Sequence, residues 1–288
     1  MSYREEMVKI PTRAGHILTG TLFTPLHPEG QSLLISSAAG MLRRFYHAFA
    51  KHFASNGFTV LTFDYWGIGD SGGSPDALKK NRYNLAHWGS NDQAAAVSFL
   101  KASAPDVPLS LVTHSIGGQI CGFNPEHPRI DRILMVASQT GYWRLFDGWH
   151  KYKMWFFWNA MIPWTTPFFN YFPAGRLGLF ENLPREMAYQ WKRWGKRAEY
   201  MMAFRDSDYF FDQLRMPILS LSFQGDTLAP PKSVDWLALQ YTTADVRRVH
   251  YTVEGDIPGH FGYFRPRSEK TLWSYTHQWI TEGVWAKQ

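Results

Sequence analysis

LSLVTHSIGGQI, residues 109–120, is the stretch from which the rest of the chain can be read. An apolar run gives way at His114 and Ser115 to small residues, with Gly117 and Gly118 close behind. A buried strand running into a helix at this break needs a tight turn, which forces the central side chain outward in a strained conformation. Glycines just beyond the turn let strand and helix pack closely. This is the mechanical content of the Gly-x-Ser-x-Gly nucleophile elbow, with Ser115 at its centre. Thr113 replaces the first glycine, which predicts a slightly more crowded turn that tolerates Thr113→Gly. The competing interpretation is an ordinary strand-to-helix turn in which Ser115 is a helix cap.

Outward from this turn, strand and helix patterns alternate. Continuous apolar runs at 32–36, 58–63, 133–137 and 217–223 predict strands covered on both faces. Segments 7–11 and 17–23 flank Arg13, Ala14 and Gly15 and predict an antiparallel hairpin at the sheet edge. Phe45, Phe49 and Phe53 recur every fourth residue and predict a helix over 43–56, ended by Gly57. Further helices are expected over 88–100, 233–240 and 268–282, with a strand over 249–253. The class is α/β, with a mostly parallel central sheet and helices on both faces. Residues 141–206 depart from the pattern, holding seven of the 13 tryptophans and no convincing buried strand. They are expected to form a mainly helical, aromatic-rich cap inserted into a core of 1–140 and 207–288.

At 288 residues and 45% hydrophobic content, one sizeable core is the expectation. The net charge of +6 and pI near 9.3 come from scattered bases without a long run, which argues against nucleic-acid binding. Cys121 is the single cysteine and supports neither a disulfide nor a thiolate metal site. The start, MSYREEMVKIPT, lacks the pattern of a signal peptide, so a cytoplasmic location is expected. Residues 154–172 are apolar, but Asn159, Pro163, Thr165, Thr166, Pro167 and Asn170 interrupt them, so membrane insertion is not expected.

After the 58–63 strand comes DYWGIGDSGGS, 64–74. Gly67, Gly69 and Gly72 match a dinucleotide-binding spacing, yet Gly73, Ser74 and Pro75 read as a continued loop where that fingerprint needs a helix. No cofactor is therefore expected. Ser71 also satisfies Gly-x-Ser-x-Gly literally, but without the strand-to-helix context of Ser115. Asp226 follows the 217–223 strand and His260 the last one, giving the order Ser, Asp, His.

Taken together, Gly40-Met41, the 64–74 run, THSIGG, FQGDTLAP at 223–230 and GHFGYF at 259–264 resemble the α/β-hydrolase superfamily over nearly the whole chain. The likeness is greatest to serine hydrolases of the serine aminopeptidase and monoacylglycerol-lipase-like group. The resemblance implies Ser115 as nucleophile, His260 as its base and Asp226 as the acid orienting the imidazole, with no metal. Backbone amides of Met41 and Ile116 would form the oxyanion hole. Family members carry His-Gly where this chain has Ala39-Gly40. Asp226 could instead be a turn residue; Asp92 and Asp256 are less favoured candidates for the acid, and His114 and His250 for the base.

Trp143, Trp149, Trp155 and Trp158 of the cap are candidates for lining a hydrophobic substrate site, against the alternative that cap aromatics only pack. Nine bases against four acids between 141 and 200 disfavour recognition of a free amino terminus. The expected activity is cleavage of small hydrophobic carboxylic esters through an acyl-serine. Amide or carbon-carbon hydrolysis, and an inactive binding module, are the alternatives. Peripheral contact of the aromatic, basic cap with lipid is compatible with this composition.

Overall fold

The computed structural model of the chain describes residues 2–204, 209–252 and 258–285. Its main sheet has eight strands: β1 (Tyr3–Pro11), β2 (Ile17–Pro25), β3 (Gln31–Ser36), β4 (Phe58–Phe63), β5 (Leu109–His114), β6 (Arg132–Val136), then β9 (Ile218–Phe223) and β10 (Val246–Tyr251). A separate two-stranded ribbon joins β7 (Tyr171–Phe172) to β8 (Leu183–Pro184). The sheet order is β1-β2-β4-β3-β5-β6-β9-β10. β1 pairs antiparallel with β2, and β2 antiparallel with β4; every other pairing in this sheet is parallel. The hairpin stands at the edge, as its alternating pattern requires.

The period of two along each strand splits the core into layers. Leu34, Leu111, Ile133 and Met135 face one layer, while Leu33, Ile35, Val112, Leu134 and Val136 face the other. Burial on both faces explains why these strands appear as unbroken apolar runs. Burying each such side chain contributes about 1.5–3 kcal/mol, so both layers of helices are needed.

In chain order the helices are α1 (His47–Ser55), α2 (Pro75–Lys80), α3 (Ala94–Ser103), α4 (Ile116–Gln119), α5 (Gly148–Phe156), α6 (Ile162–Phe169), α7 (Arg185–Gly195), α8 (Pro231–Ala238) and α9 (Ser274–Glu282). Phe49 and Phe53 of α1 and Trp279 and Ile280 of α9 cover one face; Ala96, Val97 and Leu100 of α3 cover the other. The helix expected over 43–56 begins with a tight 3-10 turn, Arg43–Tyr46, before α1. The 88–100 helix opens with a π-helical turn, Trp88–Gln93. Val253, the expected end of the last strand, lies outside the described residues.

One expectation needs correcting. Residues after Gly73 do not continue a loop: Ser74 caps α2 by accepting from Ala77 N at 3.4 Å, and Pro75 occupies the first turn. Proline is favoured there because its missing N–H would have no helical partner. The helix still opens after the glycines rather than among them.

The segment between β6 and β9, strands that pair directly, leaves the sheet and returns. It carries α5, α6, α7 and the β7–β8 ribbon, so it is mainly helical up to residue 204; residues 205–206 lie outside the described residues. Its buried side chains Trp158, Ile162, Phe172, Leu183 and Trp194 belong to the same apolar cluster as Leu34 and Leu111 of the sheet. The segment is packed onto the core, sharing its interior.

Candidate active site

Each candidate residue leaves the C-terminal end of a parallel strand, where open α/β sheets place their sites. Ser115 joins β5 to α4 with φ +52° and ψ −113°. An L-residue other than glycine rarely holds such an angle, and it persists only where the surroundings impose it. Here the packing does: a Cβ on Gly117 would lie 2.5 Å from the Ser36 carbonyl oxygen, and one on Gly118 would lie 2.3 Å from Ser138 Oγ. Only glycines allow α4 to run so close to its neighbours. Thr113 is also fitted in place, its Oγ1 lying 3.4 Å from the Leu134 carbonyl and 3.3 Å from Ser138 Oγ.

Ser71, the literal motif match, is buried in a different role. Its Oγ accepts from Thr19 N at 2.8 Å and ties the 64–74 loop to β2. Asp64 of the same loop accepts from Arg43 N at 2.7 Å, and the Arg43 guanidinium bridges Asp64 and Asp70. The polar residues of DYWGIGDSGGS thus hold the segment that follows β3.

Asp226 follows β9 and His260 follows β10. Asp226 Oδ2 lies 2.9 Å from His260 Nδ1, with the carboxylate wholly buried and the imidazole 8% exposed. Asp226 Oδ1 accepts from Leu228 N at 2.9 Å and Ala229 N at 3.0 Å. Three N–H groups, two from the backbone and one from the imidazole, thus fix the carboxylate in place. Asp92 is committed elsewhere, 2.8 Å from His16, and Asp256 lies outside the described residues. His250 contacts Ser222 and Asp235.

His114 does not project into the site; it supports it. Its Nε2 lies 2.9 Å from the carbonyl of His260 and its Nδ1 2.9 Å from the Tyr46 hydroxyl. A carbonyl only accepts, so Nε2 carries the proton and Nδ1 accepts from Tyr46, whose oxygen accepts from Ala38 N at 2.8 Å. This relay joins the turn after β3 to the His260 loop. Burial holds the His114 pKa well below its usual value, with the neighbouring His260 adding to the effect.

The oxyanion assignment requires a correction. Met41 N donates to Ala38 O at 3.1 Å, closing the turn that Gly40 allows with φ +64°. A donor engaged in this way is not free for substrate. Among the described residues, Ala39 N in the same turn has no acceptor. Ile116 N, at the first position of α4, lacks a helical partner because helices leave their first amides unpaired.

Gln139, which sequence patterns did not single out, stands after β6 beside Ser115. Ser115 Oγ donates to Gln139 Oε1 at 3.3 Å, and Gln139 Nε2 donates to Leu228 O at 3.2 Å. Among the described residues, this amide rather than His260 is the hydrogen-bond partner of Ser115 Oγ.

The cap tryptophans fall into distinct places. Trp158 is fully buried, donates to Gly141 O at 2.9 Å and packs on Gly195, so it is a packing residue and does not line an accessible site. Trp149 and Trp155 of α5 face solvent, 68% and 45% exposed. Trp143 is half-buried, with the Arg144 guanidinium over its ring.

Residues 28–186, more than half of the chain, match the model of the serine aminopeptidase S33 family. The chain belongs to that family. No curated protein sequence matches it. Among solved structures, a soluble variant of monoglyceride lipase from Saccharomyces cerevisiae, in complex with a substrate analogue, aligns with TM-score 0.70 at 14% identity, covering 98% of this chain and 97% of that one. An esterase of Pyrococcus furiosus aligns with TM-score 0.66 at 15% identity, covering 99% and 93%. A thermophilic esterase from Thermogutta terrifontis aligns with TM-score 0.58 at 16% identity, covering 96% and 98%. These likenesses establish the α/β-hydrolase fold.

Proposed function

We propose that this S33 family member is a serine hydrolase cleaving hydrophobic carboxylic esters through an acyl-Ser115 intermediate. The observation that carries the reading is a serine held at φ +52° on the elbow, with a buried Asp226–His260 pair 2.9 Å apart on the following strand ends. In the reaction Ser115 turns about its Cα–Cβ bond from Gln139 toward His260 Nε2. His260 takes the hydroxyl proton while Oγ bonds the ester carbonyl carbon. Ile116 N and a free amide of the Ala39–Gly40 turn, in place of Met41, receive the charge on oxygen. Such donors are worth about 3–4 kcal/mol each in comparable sites. His260 then protonates the departing alcohol, and the same steps with water release the acid. Asp226 fixes the Nδ1–H tautomer throughout.

The structural relatives named as esterases and as a monoglyceride lipase support ester over amide cleavage, as does the excess of bases over acids between 141 and 200. We assign residues 141–206 as a cap over the site. The family description as aminopeptidases keeps amide cleavage as a second reading. A panel of p-nitrophenyl esters and aminoacyl anilides distinguishes the two, and preference for anilides overturns the first. Retained ester turnover in Ser115→Ala, or no fluorophosphonate labelling of Ser115, overturns both. The exposed Trp149, Trp164 and Phe168 of a cap that also carries an excess of bases support peripheral lipid contact. No helix among the described residues is long and apolar enough to cross a membrane. We place the enzyme in the cytoplasm.

A further inference from the structure

Away from the Ser115 site, three segments, two of them adjoining in sequence and one distant, converge at the antiparallel side of the sheet. They are the β1–β2 turn with His16, the stretch before the π-helical turn with His87, and that turn itself with Asp92. One ligand atom from each of these residues lies within 4.8 Å of the other two. Asp92 is fully buried, and its carboxylate is fixed from two sides: Oδ2 accepts from Trp66 N at 2.7 Å, and Oδ1 lies 2.8 Å from His16 Nε2. The His16 ring stacks on Trp66 with centroids 4.5 Å apart, and the His87 ring on Tyr83 at 3.8 Å. Both imidazoles are therefore held in orientation before any ligand arrives.

The groups around Asp92 do not account for themselves. His16 Nδ1 and His87 Nε2 are both buried without a hydrogen-bond partner. Buried polar atoms are nearly always paired, so two orphan ring nitrogens beside one buried carboxylate call for a missing partner. Among the described residues, the ion pairs give Asp92 no lysine or arginine, only His16.

We propose that His16, His87 and Asp92 form a binding site for one divalent transition-metal ion of the zinc class. Two neutral imidazoles and one carboxylate are a donor set such ions take, with water completing the shell. Asn91, whose side-chain amide lies 3.0 Å from His87 Nδ1, would orient that ring from behind: with its oxygen turned to the ring it accepts Nδ1–H and leaves Nε2 for the metal. The ion would pin the β1–β2 turn to the helical layer. In the sheet order β4, whose exit loop holds Trp66, is separated from β5 and Ser115 by β3, so the role is structural rather than catalytic.

The test uses the full-length protein stripped with a chelator and titrated with Zn²⁺ by calorimetry, with Co²⁺ absorption as a second readout. One equivalent is expected to bind, raising the melting temperature and giving Co²⁺ bands of nitrogen and oxygen ligation. His87→Gln is the first variant because His87 is the least buried of the three, and it should weaken binding at least a hundredfold. Asn91→Ala should weaken it about tenfold or more, as outer-shell losses do. Turnover of p-nitrophenyl acetate by the stripped protein should match that of the loaded protein at equal folded fraction. Absence of binding to the stripped wild type overturns the proposal. So does Zn²⁺ affinity unchanged in both His87→Gln and Asp92→Asn.

Discussion

Replacing Asp226 by asparagine tests the tautomer logic of the site with almost no change in shape. The carboxylate oxygens have different partners: Oδ1 takes the amides of Leu228 and Ala229 at 2.9 and 3.0 Å, and Oδ2 takes His260 Nδ1 at 2.9 Å. In Asp226→Asn the amide must choose which end faces which partner. Turning its nitrogen toward Leu228 and Ala229 sets N–H against N–H and forfeits two hydrogen bonds, about 1 kcal/mol each before repulsion. The oxygen therefore stays with the backbone, and the NH₂ points at His260. Nδ1 must then accept, which places the ring proton on Nε2, where the Ser115 proton has to go. Loss of the correct tautomer is expected to lower kcat/KM by about a thousandfold or more, about 4 kcal/mol at about 1.36 kcal/mol per tenfold. The assay is p-nitrophenyl ester turnover beside fluorophosphonate labelling and a melting curve. Activity within tenfold of wild type in a folded variant would refute the assignment of Asp226, and Asp92→Asn measured in parallel shows the effect of losing a buried carboxylate elsewhere.

Tyr46→Phe removes the middle of the Ala38–Tyr46–His114 relay and leaves a buried amide and a ring nitrogen unpaired. At about 1–3 kcal/mol for each unpaired group, urea denaturation should register a loss of about 2–6 kcal/mol, and an unchanged midpoint would refute the relay. In Gln139→Ala the resting acceptor of Ser115 is gone, so fluorophosphonate labelling should quicken by up to about fivefold, the equivalent of a bond worth about 1 kcal/mol; a tenfold slowing would instead give Gln139 a positive catalytic role. Acid should weaken the fold: burial lowers the pKa of His87, His114 and His127 below 6.5, so the unfolded chain binds more protons under that value. Stability is then fully present above pH 6.5 and falls as pH drops through it, which urea midpoints at about pH 7.5 and about pH 5.5 will measure.

The strands were legible because burial on both faces leaves an unbroken apolar run, as in FTVLTF, whose expected bounds coincide with β4. Ser115 was legible for a related reason: position after a buried strand distinguishes it from Ser71, which shares only the local pattern. The expectations that failed turn on contacts between distant segments or on which member of a turn is engaged. Met41 and Ala39 are two residues apart, and spacing does not tell that the turn engages the Met41 N–H with the Ala38 carbonyl while the Ala39 N–H is left without an acceptor. Trp158 and Trp149 look alike in an aromatic stretch without clear period, yet one fills the interior and the other stands in water. The start of α2 could have been found, since Ser74-Pro75-Asp76 is a cap, a first-turn proline and a first-turn acid in sequence. Nothing in the spacing of His16, His87 and Asp92 suggests that the sheet edge brings them together.

Thr113 shows how the structure changes an expectation about the elbow itself. The sequence predicts that glycine, the usual residue at this position, is tolerated there. The crowding, however, is taken up by Gly118, whose added Cβ would meet both Ser138 Oγ and, at 2.9 Å, Thr113 Oγ1. Thr113 is itself buried on β5 with its hydroxyl between the Leu134 carbonyl and Ser138. Thr113→Gly therefore removes a packed side chain, loosens a strand and takes a partner from Ser138. Glycine in place of a residue in a strand costs about 0.5–1 kcal/mol in chain entropy, and the lost polar partner about 1–3 kcal/mol more. The variant should lose about 2–4 kcal/mol in urea denaturation. Because the strain at Ser115 is imposed by this packing, fluorophosphonate labelling should slow as well. A variant with wild-type stability and labelling would mean that Ser115 is held at φ +52° by the glycines alone.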